Sequence, residues 1–340
     1  MRPVTARMKA APIVPATMRA VVIDAFGGPE RLGVREIPLP AVGPRDVLVH
    51  VDTAGVAISD VKARRGEWGG GFPMILGADG SGTVVALGED VRGFEVGDAV
   101  YGYAYRRAKG GFYAEFVSLS AEHVAPMPFS LDFREAGGLA LTGLTALAGI
   151  DDALDVRPDS TLLLHGASGG VGTITVQFAK RRGARVIATI DGGEARELVR
   201  RLGADDIIDT QHEDVAASVR RIAAGGVDAL LALAGGPALE RCIAAVREGG
   251  KIAYPNGVAM PDGAIPADGV QVTAFNGVPN AAAFARLNAI VDEQPIEVPI
   301  AAMYSLDDAA EAHRRLDRGH VHGKIVLVVD GTEDVVEKVA

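Results

Sequence analysis

Residues 162–172 read LLLHGASGGVG, and their types and spacing bear most directly on chemistry. An apolar strand leads into the segment and a helical pattern follows, the setting a dinucleotide-binding turn requires. Gly166 permits a tight turn, Gly169 and Gly170 let backbone approach a pyrophosphate, and Gly172 lets helix and strand pack closely. Ser168 and Val171 complete the loop, whose free N–H groups at the positive helix end would hold phosphate oxygens. Asp191 follows at about the 20-residue distance at which such sites place an acid on the ribose hydroxyls. It lies one residue past the strict strand-end position, Ile190. No Lys or Arg follows at once, although Arg196, Arg200 and Arg201 come later. The residues alone therefore leave NADH and NADPH both open. Asn256 and Phe275 end later strands, where a nicotinamide edge would be reached.

Such a turn needs a scaffold, and the flanking sequence supplies one. Apolar stretches at 161–165, 185–190, 205–209, 227–233 and 251–254 alternate with helical patterns at 171–182, 194–202, 213–224 and 237–248. That rhythm predicts a doubly wound parallel sheet. Residues 270–275 offer a sixth strand, and 136–154 reads as a long apolar helical region. Upstream, 18–24 and 46–52 are Val-rich strands separated by a proline-rich connector at 36–44. Glycines recurring from Gly55 to Gly97 predict tight turns and a barrel-like, mostly β unit running to about Pro128. The tail holds helices at 280–294 and 306–318 and a buried-looking strand at 324–329, expected to return to the first unit. The fold class is thus α/β: a mostly β unit plus a doubly wound parallel sheet.

Composition narrows the partners. The formal charge of −10 argues against nucleic acid, whose phosphates need clustered Lys and Arg. No apolar run reaches the roughly 18–20 residues of a membrane span. Cys242 is the only cysteine, so an internal disulfide framework is impossible and a reducing, cytoplasmic setting is expected. Residues 1–17 carry Arg2, Arg7 and Lys9 without an acid and lack a secretory core. They read as an N-terminal extension, with the organised chain beginning near Met18.

Several segments resemble the zinc-free medium-chain dehydrogenase/reductase family, in its quinone oxidoreductase, or zeta-crystallin-like, branch. Besides HGASGGVG and QFAK these are GVAISD, ILGADGSGTV, GFEVGDAV, GGFYAEFV, LTGLTA, LGADDIID and HGKIVLVV, in family order over nearly the whole chain. The resemblance implies a GroES-like catalytic domain (18–135 and 281–340), a Rossmann domain (136–280) and a cleft between them. It also implies NADPH more often than NADH, and a homodimer or homotetramer. Zinc-dependent relatives place metal ligands at positions that here hold Ala57, Ala78 and Gly138, none of which can bind a metal. No metal is therefore expected. Without that Lewis acid, the expected chemistry is hydride transfer to an electron-poor small molecule, a quinone or an α,β-unsaturated carbonyl.

Within that frame Ser59 matches the hydroxyl of the relatives' proton relay, and Lys62 could donate a hydrogen bond. Thr142, in LTGLTA, is expected beside the nicotinamide. Ala57 and Trp68 are expected to line the substrate mouth. The family often has Asn and Tyr where Ala57 and Lys62 stand, so its usual oxyanion contacts are not carried over. Competing readings are a non-catalytic NADPH-binding, crystallin-like protein and a zinc-independent alcohol dehydrogenase. Tyr105 and Lys109 form Y-x-x-x-K, but ahead of the glycine loop, and are set aside. His320 and His322 lack a third ligand and read as loop residues. Cys242 lies on an apolar helix stripe with Leu239, Ile243 and Val246, a core position. His165 is read as packing beside the cofactor loop.

Overall fold

The computed structural model describes residues 14–105, 110–262 and 267–329. Lys109, Arg2, Arg7 and Lys9 lie outside them. Three sheets organise the chain. Six parallel strands run in the order Asp206–Asp209, Arg185–Ile190, Thr161–His165, Val227–Ala232, Val246–Pro255, Gln271–Phe275. This is the doubly wound order, whose crevice opens where the chain switches direction, beyond the carboxyl end of Thr161–His165. Leu162, Leu163 and Leu164 are fully buried, because helices cover both faces of that strand.

The second sheet has seven strands. Its path runs Ile300–Ser305, Lys324–Val328, Asp46–Val56, Asp79–Leu87, Ala99–Tyr103, Val124–Pro126, with Phe116–Ser120 also paired to Asp46–Val56. The expected return of the tail is realised: Ile325, Val326 and Leu327 pair antiparallel with Val56, Gly55 and Ala54. A third sheet of three strands joins Gly33–Pro38, Thr17–Ile23 and Met74–Ile75. Part of the proline-rich connector is therefore a strand. Gly33–Pro38 can pair only at an edge, where proline's missing N–H costs no ladder bond.

Other elements differ from expectation. The helix after Gly236 stops at Ile243, and a strand begins at Val246, which pairs with Val227 before a bulge. The 136–154 region breaks into Phe133–Gly137, Ala140–Leu147 and a π-turn over Ala148–Ala153. Ile300–Ser305 is a strand with no counterpart in the sequence reading. The Ala281–Glu293 helix buries Phe284, Leu287 and Val291 in one core with Tyr101 of the seven-stranded sheet and Leu144. Tyr101 Oη also donates to Asn288 Oδ1 at 2.6 Å. That helix therefore ties the two large sheets together. Among the described residues no helix is long and apolar enough to cross a membrane.

Candidate functional site

A cleft of about 1720 Å³ runs between the parallel sheet and the seven-stranded sheet. Small-molecule pockets usually hold about 300–1,000 Å³, so this volume suits a dinucleotide and a second reactant together. The glycine loop forms its floor. Gly166 takes φ +86° in the turn, and a Cβ on Gly172 would overlap the Gly166 carbonyl oxygen, so helix Gly170–Arg181 sits directly on the turn. Gly166, Ser168, Gly169, Gly170, Val171 and Gly172 all face the cleft. The helix N-cap, Gly169, brings no side chain to its free N–H groups, leaving them to a ligand.

Asp191 stands at the end of Arg185–Ile190 and is exposed in the cleft. Its Oδ1 accepts from Gln211 Nε2 at 3.0 Å, and its Oδ2 lies 3.2 Å from His320 Nε2. His165 closes the first strand, with Nδ1 2.8 Å from Thr189 Oγ1 and Nε2 buried without a partner. Burial holds its imidazole below the usual range and favours the neutral form.

Among the described residues, four of the five buried side-chain polar atoms without a partner lie at the cleft. Ser59 Oγ, His165 Nε2, Arg241 Nε and His322 Nδ1 are buried without partners, and all four residues line it. Ser118 Oγ is the one such atom elsewhere among the described residues. Buried polar groups are nearly always paired in native proteins, so this concentration marks where a polar ligand belongs. Phosphate N–H donors, an acid at the ribose position and orphaned donors beyond them fit a nicotinamide dinucleotide.

The opposite wall carries the other expected residues. Ala57, Ser59, Lys62 and Trp68 line it, and Trp68 is 54% exposed at the mouth. Asp60 fixes this corner: its two carboxylate oxygens accept from Ala57 N and Gly77 N. Lys62 Nζ reaches across the cleft and donates to the Gly257 carbonyl at 2.6 Å, with Glu67 3.4 Å away. Thr142 faces the cleft, but its hydroxyl donates back to the Gly138 carbonyl at 2.7 Å. It therefore presents mainly its methyl. Asn256 lines the cleft, while its N–H donates to the Phe275 carbonyl.

Phe275 needs correction as a cofactor contact. Its ring joins the core beneath the sheet, where a Cβ on Gly149 would lie 2.9 Å from it. Strand residues alternate faces, and the cleft is lined instead by the next residues, Asn276 and Gly277.

Lys324 and Asp79 form a pair the sequence reading did not assemble. Lys324 Nζ lies 3.1 and 3.2 Å from the two Asp79 oxygens, and both residues are buried. Burial pushes the Asp79 carboxyl above the usual range, against the pull of the lysine. Leu141 N donates to Asp79 at 3.3 Å, so the pair also anchors the start of the Ala140–Leu147 helix. A Cβ on Gly138 would lie 3.0 Å from Lys324 Cγ. The lysine thus passes Gly138 and ends on the acid that follows Ala78. Its one sequence signal was a charge opening an apolar strand.

The comparisons agree with this geometry. Residues 43–129 match the family model described as alcohol dehydrogenase GroES-like domain, and 202–327 match zinc-binding dehydrogenase. A quinone oxidoreductase of Pseudomonas aeruginosa is 36% identical over 208 residues, covering 61% of this chain and 63% of that protein. A crystal structure of an NAD-dependent alcohol dehydrogenase superposes with a TM-score of 0.84 at 33% identity, covering 92% of this chain and 100% of that one. The quinone oxidoreductase of Coxiella burnetii superposes with 0.82 at 30% identity, covering 92% and 99%. A GroES-like unit, a doubly wound sheet and a glycine loop facing their shared cleft define a nicotinamide-dependent dehydrogenase or reductase. The chain belongs to the medium-chain dehydrogenase/reductase family, in its quinone oxidoreductase branch.

Proposed function

We propose that the protein reduces a quinone or an α,β-unsaturated carbonyl with NADPH as its preferred hydride source and without zinc. The observation that carries this reading is the pair Lys324–Asp79 among Ala57, Ala78 and Gly138. The positions that would need ligand side chains offer none, and a fixed ion pair fills the space beside them. The bound dinucleotide would supply the hydride. The chain's part is alignment and exclusion of water. The glycine loop would hold the phosphates, Asp191 and Gln211 would meet the adenosine ribose, and the Thr142 methyl would limit how the nicotinamide lies.

On the acceptor side, hydride addition leaves negative charge on oxygen. Ser59 Oγ has no partner in the free protein and would donate to that oxygen. Lys62 places a second donor at the mouth once the acceptor displaces the Gly257 carbonyl. Residues 18–135 and 281–340 act as the catalytic unit and 136–280 as the cofactor unit. The single cysteine suits a cytoplasmic setting, and a homodimer or homotetramer is the expected assembly.

The similarity to an NAD-dependent alcohol dehydrogenase supports a second reading, zinc-independent alcohol oxidation. Purified protein is incubated with NADPH or NADH and a panel of quinones, enals and enones, following loss of reduced-cofactor absorbance with and without chelator. Chelator-resistant turnover of an electron-poor acceptor is expected. Turnover of alcohols alone would favour the second reading, and tight cofactor binding with no turnover would leave a binding protein.

A further inference from the structure

We infer that His320 sets the choice between NADPH and NADH, by engaging Asp191 from the far end of the chain. This rests on the cofactor reading above. Asp191 belongs to the parallel sheet, while His320 follows the Ala309–Asp317 helix, which packs with the seven-stranded sheet's core. Their side chains meet in the cleft, with Nε2 3.2 Å from Oδ2.

An acid at the end of the second strand ordinarily excludes NADPH in two ways. It bonds both ribose hydroxyls, and its charge repels a 2′-phosphate. Here both functions are compromised. Gln211 Nε2 occupies Oδ1, and the His320 imidazole covers Oδ2. Protonated, that imidazole also offsets the carboxylate charge directly. The neighbouring groups are the cationic Arg315, Glu194 facing His322, and the imidazoles of His322 and His165, which burial holds toward the neutral form. The 2′-phosphate would thus meet a neutralised corner.

The imidazole is held in place by its backbone. His320 adopts φ +51°, a left-handed conformation uncommon for non-glycine residues, and its carbonyl accepts from Arg315 Nη2 at 3.0 Å. Arg315 Nη1 donates to the Gly319 carbonyl at 2.8 Å. Two bonds from one guanidinium therefore clamp the loop that presents His320. Three residues on, Gly323 N donates to the Ser168 carbonyl of the glycine loop at 2.8 Å, fixing the same segment against the phosphate site.

Asp191 and His320 are both more than half exposed, so their attraction contributes little to stability. Two exposed unit charges about 4 Å apart interact by an amount equivalent to roughly a fivefold change in affinity.

The experiment titrates wild type, His320→Ala, Asp191→Asn and the double variant with NADPH and NADH, by calorimetry and by quenching of Trp68, the chain's one tryptophan. Binding needs no acceptor, so the substrate reading does not enter. His320→Ala should lower the NADPH-to-NADH affinity ratio about fivefold. In the Asp191→Asn background the same change should move the ratio less, because no carboxylate is left for the imidazole to cover and only its direct attraction for the phosphate remains. His320→Lys, which keeps a cation, should retain the wild-type preference. If His320→Ala left the ratio unchanged while both dinucleotides still bound, this assignment alone would fall. An equal change in both backgrounds would also overturn it, placing His320 on the phosphate itself. Failure of wild type to bind either dinucleotide would overturn the cofactor reading and this inference with it.

Discussion

Replacing Lys324 with methionine keeps most of the stem and removes the charge that Asp79 depends on. Asp79 is 0% exposed, and without the lysine its remaining donor among the described residues is the Leu141 N–H at 3.3 Å. A buried carboxylate so exposed to loss of its partner takes up a proton instead. An unfolded aspartate titrates near 3.9, so keeping it neutral at pH 7 costs about three pH units at roughly 1.4 kcal/mol each, about 4 kcal/mol. That agrees with the ~3–5 kcal/mol typical of breaking a buried pair from one side. At pH 5 the same cost falls to about 1.5 kcal/mol. The sign follows from linkage: a carboxyl raised above its unfolded value binds more protons folded than unfolded, so stability falls as pH rises between the two values. Burial already raises Asp79 in the intact protein, so wild type bears part of this cost and the figures are upper bounds on the variant's loss. Guanidinium unfolding of wild type, Lys324→Met and Asp79→Leu/Lys324→Met at pH 5, 6, 7 and 8 measures all of this. The double variant should recover most of the loss. A single variant within about 0.5 kcal/mol of wild type at pH 7, or a loss no smaller at pH 5, would refute the reasoning.

Three further outcomes follow from the geometry. Gly172→Val places side-chain atoms on the Gly166 and Ala167 carbonyls and should weaken dinucleotide binding by at least about tenfold in calorimetry; unchanged affinity would mean the loop does not hold the phosphates. Burial pushes the Cys242 thiol up to about 12, so native protein at about pH 7.5 should resist maleimide while guanidinium-unfolded protein reacts. Rapid native labelling would show that the helix opens. Lys62→Met removes the bond across the cleft to Gly257 and should raise acceptor KM severalfold with dinucleotide Kd unchanged. A loss confined to kcat would instead assign Lys62 to proton delivery.

The parallel sheet was legible because its signals are local. Strands Thr161–His165 and Arg185–Ile190 carry their apolar run, their turn residues and their helices within a few positions. Where two elements compete for the same residues, local pattern misleads. Val246 sits at helical spacing from Leu239 and Ile243, yet pairing with Val227 draws it into a strand. Ile300–Ser305 has a mixed Ala-rich pattern, and only pairing with Lys324–Val328 makes it a strand. The same division holds at the site. The glycine loop is contiguous and could be read. Lys324 and Asp79 lie 245 positions apart, and no spacing rule connects them. Phe275 failed for a smaller reason, since strand position does not say which face of the sheet a side chain takes.

Residues Gly319 to Lys324 concentrate what sequence could not show. Within that short stretch His320 meets the ribose acid, Gly323 bonds the phosphate loop, and Lys324 ends on the buried Asp79. All three partners belong to other parts of the chain, so the stretch is positioned only once both large sheets are in place. Lys324 opens the strand that pairs with Asp46–Val56, which fixes its register against Gly55 and the Asp79 strand. His320 is placed by the preceding helix through Arg315. A shift at either end therefore moves a cofactor contact and the buried ion pair together. Substitutions that loosen the tail, such as Arg315→Ala, should for that reason alter dinucleotide preference and stability at once, whereas changes confined to the glycine loop should weaken both dinucleotides alike.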